Sequence, residues 1–240
     1  MIIPGGAFRR LVYNFEGEDV AKWLNSMGIA AFVLECRLPS DEHDNAEDVP
    51  LIDAMRAMRV IRGRAQEFGI DEAKIGVMGF SAGGFMAALL STAYESDVYA
   101  DYKYKDEYDK LSARPDFAVC SYPVISIDDC IEAGKRYMSE EQVLERISDG
   151  KAKILHKYNP DKLVRPDMPP VFICETDDDR TTLSENSVGF YMAARKAGVS
   201  AELHIFRTGG HGYGCGDDFA QTGEWKVLFT KWIKSIGIIS

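Results

Sequence analysis

The sequence predicts an α/β fold: a mostly parallel sheet with helices on both faces. Three observations predict it. Short apolar runs alternate with amphipathic segments of helical spacing, the rhythm of a βαβ chain. Two of those runs, Ile29 to Glu35 and Ile75 to Met78, are apolar almost throughout, as strands covered on both faces are. Finally, 240 residues with 46% hydrophobic and 28% charged content are enough for one soluble domain with a full core. The chain therefore reads as one domain, 1–240, carrying irregular insertions at about 94–115 and 124–168.

Met1-Ile2-Ile3 reads as the end of a strand and Pro4-Gly5-Gly6-Ala7-Phe8 as a loop. Val20, Ala21, Trp23 and Leu24 share one face of a helix that Gly28 ends. Glu16 and Glu18 open that helix, where carboxylates suit the dipole, and read as structural. After the strand Ile29 to Glu35 and a charged loop (Asp41 to Asp48), Leu51, Ile52, Met55, Met58, Ile61 and Ala65 keep helical spacing. The strand Ile75 to Met78 runs through glycine and serine into the apolar helix around Phe85 to Leu90.

Tyr94 to Pro115 breaks the rhythm with alternating tyrosines and charges. Its tyrosines (99, 102, 104, 108) either pack under a lid or stack on a substrate ring. Phe117 to Tyr122 is a strand, and Val124 to Met168 a second departure with helical pieces. Both departures are expected to flank the pocket. Val171 to Cys174 is a strand, Ser184 to Ala197 a helix closed by Gly198, and Ala201 to Phe206 a strand. A glycine-rich loop, Thr208 to Gly214, precedes a last helix from Phe219 to Lys234 that buries Trp225, Leu228, Phe229 and Trp232.

A net charge of −10 argues against nucleic acid or an anionic membrane surface as partner. No apolar run approaches membrane-spanning length, and the opening residues lack a basic segment followed by a long apolar core. The five cysteines are odd in number and unclustered, which predicts reduced thiols, a cytoplasmic location, and neither a disulfide frame nor a zinc site. No organic cofactor or metal is called for.

The chemistry centres on Gly79-Phe80-Ser81-Ala82-Gly83, a Gly-x-Ser-x-Gly bend between a buried strand and a buried helix. Small residues let strand and helix approach closely, and the bend lifts the Ser81 hydroxyl clear of the sheet. The Ala82 N–H, at the helix start, faces a developing oxyanion. A nucleophilic serine needs a base, and only four histidines exist. His43 sits in a charged loop, His156 in an irregular segment and His204 in mid-strand. His211, in Gly209-Gly210-His211-Gly212, follows the last strand, where ligands bind in such sheets, and is the expected base. The strand Val171 to Cys174 runs into Glu175-Thr176-Asp177-Asp178-Asp179, which offers an orienting acid without fixing which carboxylate turns inward. Pro4-Gly5-Gly6-Ala7 stands where lipases and esterases carry an oxyanion loop.

With these pieces in order, the chain resembles the acetylxylan-esterase and feruloyl-esterase-like branch of the α/β-hydrolases. The likeness runs nearly end to end through Pro4-Gly5-Gly6, Glu16-Gly17-Glu18, Arg37-Leu38-Pro39, the Ser81 bend, Tyr122-Pro123-Val124, Glu185-Asn186-Ser187 and Gly209-Gly210-His211-Gly212. It implies an α/β-hydrolase fold and a catalytic triad of Ser81, Asp178 and His211. In the branch's His-Thr-Ala-Asp-Asp pattern the first aspartate is the triad acid, which falls on Asp178, with Asp179 second; Glu175 and Asp177 replace the His and Ala. The implied oxyanion hole is Gly6, Ala7 and Ala82. The implied substrate is a small-molecule ester, such as an acetylated xylo-oligosaccharide.

Three departures from that pattern carry expectations. Ala7 replaces a glycine and serves as a donor if its φ is negative. Phe85 replaces a histidine and is expected on the pocket floor. The fold normally opens with an N-terminal hairpin and only three residues precede Pro4, so the expectation is that either the start is misplaced or the strand Ile29 to Glu35 lies at an exposed apolar edge through which the chain pairs, as in a homo-oligomer. Two other readings stay open: a prolyl-oligopeptidase-like peptidase, and a non-catalytic hydrolase-fold binding protein. A glycosidase would need two carboxylates across a sugar bond, and no pair stands out.

Overall fold

The computed structural model describes residues 1–39, 44–100, 102–148, 153–216 and 221–239. Five parallel strands lie side by side in chain order: β1 (Ile2–Ile3), β2 (Val77–Phe80), β3 (Ala118–Ser121), β4 (Val171–Thr176) and β5 (Ala201–Phe206). The register aligns Ile3 with Gly79, Gly79 with Cys120, Cys120 with Ile173, and Ile173 with Leu203. The helices are α1 (Asp19–Ser26), α2 (Val49–Gly63), α3 (Ala65–Phe68), α4 (Ala82–Ala93), α5 (Ile127–Gly134), α6 (Glu140–Ser148), α7 (Lys153–Lys157), α8 (Ser184–Lys196) and α9 (Glu224–Ser235).

The period-two alternation of strand side chains divides the core in two. Ile3, Val77, Ala118, Cys120, Val171 and Ile173 face α2, α4 and α8, where Leu51, Met55, Phe85, Leu89 and Phe190 are buried. Ile2, Met78, Phe80, Val119, Phe172 and Cys174 face α1 and α9, against Val20, Leu24, Trp225, Phe229 and Trp232. With both faces covered, β2 and β3 carry no polar alternation and look apolar in sequence, whereas β5 at the end of the sheet alternates through Glu202 and His204 and is only partly buried.

The run from Ile29 to Glu35 is not a regular strand. It makes one parallel bridge, Ile2 to Val33, through Ile2 N–H to Phe32 O (2.7 Å) and Leu34 N–H to Ile2 O (2.8 Å). Its neighbour β1 has two residues before Pro4, whose missing N–H ends the ladder. Among the described residues no strand lies outside this segment, and its Ala31, Phe32, Val33 and Leu34 are half-buried.

The tyrosine-rich segment 94–115 packs onto α2, not over the sheet's carboxyl ends. Arg59 lies over the Tyr99 ring at 4.1 Å, Tyr102 stacks on Tyr99 at 5.1 Å, and Tyr108 fills the space over Gly63. Arg56 pairs with Asp106 (2.6 Å), and Arg62 donates to Ser112 O, Arg114 O and Asp116. The second departure holds α5, α6 and α7. It is tied to α8 where the N–H groups of Ile125 and Ser126 both donate to Asn186 Oδ1 at 2.9 Å.

Candidate active site

Five loops leave the carboxyl ends of the five strands and meet on one side of the sheet, the side on which parallel sheets bind ligands. After β2 the chain turns at Ser81 with φ 52° and ψ −118° and enters α4 one residue later. This left-handed conformation, strained for a residue with a side chain, is held from both sides. A Cβ on Gly79 would stand 1.9 Å from Gly83 O, and one on Gly83 would stand 1.9 Å from Ile3 O. Only glycines allow the bend to sit against the β1 carbonyls at that separation. Phe85, expected on the pocket floor, is instead fully buried and packs edge-on against Phe8 at 5.7 Å.

His211 follows β5 on a loop in which Gly210 (φ 63°) and Gly212 (φ 77°) are left-handed on either side of it. Its Nε2 lies 2.9 Å from Ser81 Oγ, and its Nδ1 lies 2.6 Å from Asp179 Oδ2. A carboxylate at Nδ1 holds the proton on that nitrogen, leaving Nε2 as the acceptor for the serine hydroxyl.

The acid paired with His211 is thus Asp179, not Asp178. The loop after β4 turns Asp177 and Asp178 outward and Asp179 inward, where Asp179 is 1% exposed. Asp179 Oδ1 accepts from the N–H groups of Thr181 (2.7 Å) and Thr182 (3.0 Å), an Asx turn that bends the side chain back under the histidine. The Thr182 hydroxyl adds a donor 3.0 Å from Oδ2 and lies 3.1 Å from His211 Nδ1. Asp178 serves the site differently. Its Oδ1 accepts from Gly210 N–H at 2.8 Å, which holds its carboxyl below the ordinary carboxylate range and pins the histidine loop.

The loop after β1 passes beside the serine with Gly6 (φ 131°), Ala7 (φ 56°) and Phe8 (φ 57°) all left-handed. The negative φ set as the condition for Ala7 to serve as a donor is therefore not met, yet with its positive φ Ala7 still borders the serine's cavity. The turn closes on Gly6, whose carbonyl accepts from Arg9 N–H (3.1 Å) and Arg10 N–H (3.3 Å). Gly6, Ala7 and Ala82 border the same cavity as Ser81 and His211. Among the described residues, their three N–H groups donate to no protein acceptor. Unpaired donors beside a serine hydroxyl are what an oxyanion site requires.

Two further residues tie the loops together, and sequence reasoning missed both roles. Glu16, read as a helix-opening carboxylate, is 3% exposed and sits beneath the site. Its Oε2 accepts from Gly5 N–H (2.8 Å) and its Oε1 from the Tyr122 hydroxyl (2.9 Å); burial pushes the carboxyl up while these donors oppose the rise. Tyr122, left-handed at φ 37° and fully buried, accepts from Gly214 N–H at 3.0 Å and packs edge-on against the His211 ring at 5.0 Å. Glu16 and Tyr122 thus link the glycine loop to the histidine loop. The signal available was a glutamate in the turn of helix before α1 and a tyrosine just past the end of β3, with nothing local to pair them.

The cavity over Ser81 has a volume of about 480 Å³ and is lined by Val12, Phe15 and Val124 as well as the loops above, with Arg9 and Arg10 at its border. Among the described residues of the two irregular segments only Val124 contributes to this lining, and none of Tyr99, Tyr102, Tyr104 and Tyr108 does. Of the other histidines, His204 pairs with Glu202 at 2.8 Å on β5 and His156 is exposed on α7. His43 lies outside the described residues. Among the described residues no three His, Cys, Asp or Glu side chains converge as metal ligands.

A parallel sheet with a strained serine between β2 and α4, and a histidine and an acid from later strand ends, defines the α/β-hydrolase fold. Within that fold the chain belongs to the BD-FAE family, whose model matches residues 1–193. It is 31% identical over 236 residues to an acetylxylan esterase of Xylanibacter ruminicola, covering 98% of this chain and 45% of that protein. It is also 31% identical over 219 residues to endo-1,4-beta-xylanase B of Butyrivibrio fibrisolvens, covering 91% of this chain and 33% of that protein. The chain spans less than half the length of these curated relatives. A solved structure, the acetyl ester-xyloside bifunctional hydrolase of Caldicellulosiruptor lactoaceticus, superposes with a TM-score of 0.81 at 39% identity, covering all of this chain and 84% of that one. No described helix is long and apolar enough to cross a membrane.

Proposed function

We propose that this chain is a serine carboxylesterase acting on short acyl esters, with acetyl groups on xylo-oligosaccharides as its substrate class. The observation that carries the reading is the unbroken hydrogen-bond chain Ser81 Oγ, His211 Nε2, His211 Nδ1 and Asp179 Oδ2, at 2.9 and 2.6 Å.

Ser81 Oγ attacks the ester carbonyl carbon while His211 Nε2 takes its proton. Asp179 fixes the imidazole tautomer and stabilises the imidazolium. The N–H groups of Gly6, Ala7 and Ala82 receive the oxyanion, each such donor contributing about 3–4 kcal/mol in comparable sites. His211 then protonates the departing alcohol as the carbon–oxygen bond breaks and the acyl-enzyme forms. Water, deprotonated by the same nitrogen, releases the acid and restores Ser81. The acetyl–xylan part of the proposal is supported by the names of the Xylanibacter and Caldicellulosiruptor relatives. A cavity of about 480 Å³ also suits a small acyl group with part of a sugar.

The test is hydrolysis of p-nitrophenyl acetate at neutral pH by the wild type beside Ser81→Ala, followed by acetate release from acetylated xylo-oligomers. Turnover that vanishes with the serine is the expected result. A folded wild type without turnover, or a mutant that keeps it, contradicts the proposal.

A further inference from the structure

Behind the acid of the triad lies a second carboxyl that the mechanism above does not use. Glu175, near the end of β4, is 0% exposed, and Asp179 beside it is 1% exposed. The loop folds back on the end of β4, Asp179 N–H donating to Thr176 O at 3.3 Å, and this sets the Asp179 carboxyl beside that of Glu175. The sequence leads one to expect an inward-turned aspartate there but not a buried glutamate, since the branch this chain resembles carries a histidine in place of Glu175.

Two adjacent buried carboxyls do not both ionise, because each charge disfavours the other where water cannot screen them. The donors around them decide which one keeps its charge. Asp179 receives the His211 ring N–H, the N–H groups of Thr181 and Thr182, and the Thr182 hydroxyl. Glu175 receives only Thr176 N–H at 3.0 Å on Oε1 and the Ser187 hydroxyl at 3.3 Å on Oε2. Among the described residues no lysine or arginine is ion-paired with Glu175. The other titratable groups facing it are Tyr213, from the histidine loop, and Cys174, its neighbour on β4; both stay neutral, since burial pushes the phenol and the thiol up. All the stronger donors point at Asp179, so the charge belongs there and the proton on Glu175.

We propose that Glu175 and Asp179 form a carboxyl pair carrying a single charge. In it Glu175 holds the proton and donates it in a hydrogen bond to Asp179, so that Glu175 is a positioning residue for the His211–Asp179 couple. The protonated acid caps the side of the Asp179 carboxylate that the threonines and the histidine leave open. It fixes the carboxylate's orientation without adding a second negative charge behind the imidazole. Burial, together with the neighbouring Asp179 charge, pushes the Glu175 carboxyl well above its ordinary range, in keeping with this arrangement. The positioning role rests on the esterase reading; the place of the proton does not.

The experiment therefore has two readouts. The first is the infrared difference spectrum of the wild type minus Glu175→Gln at pH 7, which isolates the Glu175 carboxyl. A protonated-acid carbonyl band is expected; a carboxylate band in its place overturns the proposal. The second is p-nitrophenyl acetate kinetics. Glu175→Ala, which removes the donor, is expected to lower kcat by about 10–100-fold with little change in KM, the scale of a misoriented catalytic group. Glu175→Gln, whose amide N–H replaces the acid O–H, is expected to recover most of that loss. A glutamine variant as slow as the alanine variant overturns the positioning role. If the alanine variant does not fold, the spectrum and the glutamine variant measured against wild type still decide. If the wild type hydrolyses no ester, the esterase reading fails while the spectrum still tests the proton's position.

Discussion

Two polar clusters of this molecule both gather acids and a tyrosine and do opposite things. Around His211, the carboxyls of Asp179 and Glu16 are buried, and each is met by donors from backbone and hydroxyl groups. Around α2, Arg56, Arg59 and Arg62 meet Asp106, Asp109, Asp116, Tyr99 and a row of carbonyls. These contacts cement the segment 94–115 to the helix. The first cluster leaves three N–H donors unspent, facing a cavity beside the Ser81 hydroxyl that is tied to His211; the second spends its groups on itself apart from one buried Arg59 nitrogen, which finds no acceptor among the described residues. Their acids and tyrosines do not separate them. Position does, because only the first stands at the carboxyl ends of the strands, where loops from five separate chain segments converge.

Substitutions break this contrast from the catalytic side first. Ser81→Ala is expected to lower kcat on p-nitrophenyl acetate by about 10⁴–10⁶-fold with the melting temperature unchanged. Asp179→Asn is expected to cost about 10³–10⁴-fold in kcat, because an amide no longer enforces the imidazole tautomer. Asp178→Asn, which keeps an acceptor for Gly210 N–H, should stay within about threefold, on the scale of a surface hydrogen bond. If the two aspartate variants exchange these values, the assignment of the acid is overturned.

The α2 cluster should answer in stability instead. Arg62→Met removes bonds to three carbonyls (Glu72, Ser112 and Arg114) and to Asp116 from a side chain only 12% exposed. A loss of about 2–3 kcal/mol in denaturant unfolding, with kcat unaltered, is expected. A fall in kcat matching that of Asp179→Asn would mean that the segment 94–115 takes part in the chemistry. Tyr122→Phe sits between the two behaviours. Losing the bonds to Glu16 and Gly214 should cost about 1–2 kcal/mol of stability and a few-fold in kcat, because the link between the glycine and histidine loops is cut. An unchanged kcat would leave that link a purely structural one.

The last effect is a pH dependence. Glu175 has a folded-state carboxyl raised above its ordinary value near 4.5, so the folded protein binds more protons there than the unfolded chain. That contribution is fully present below the ordinary value and is lost as pH rises from it toward the raised one. Glutamine does not titrate. The melting temperature of Glu175→Gln relative to wild type should therefore climb between pH 4 and 8, and a pH-independent difference contradicts the burial of the proton.

What could be read in the sequence followed from how local the cause was. The Ser81 bend was legible because an apolar strand, paired glycines and a small-residue helix are consecutive. His211 was legible because glycines flank it just after the last strand. Asp178 and Asp179 have the same chemistry and adjacent positions. What separates them is an Asx turn onto Thr181 and Thr182 that buries one and exposes the other, and consecutive aspartates do not announce it. Glu16 and Tyr122 are partners across 106 residues, a distance no local pattern spans. The run Ile29 to Glu35 looked like a full strand because apolar content reports burial, while pairing depends on a neighbour that Pro4 cuts short. The tyrosines of 94–115 looked ready for a ligand, yet they are stacked with each other and with arginines of α2.

Activation of Ser81 by His211 and Asp179, whatever ester the protein meets, is the property on which the rest depends. Labelling with a fluorophosphonate probe tests this most directly, since it reads serine reactivity without assuming a substrate. Rapid labelling of the wild type and Asp178→Asn, strongly slowed labelling of Asp179→Asn and none of Ser81→Ala is the predicted result. A wild type that labels no faster than Ser81→Ala would contradict the account.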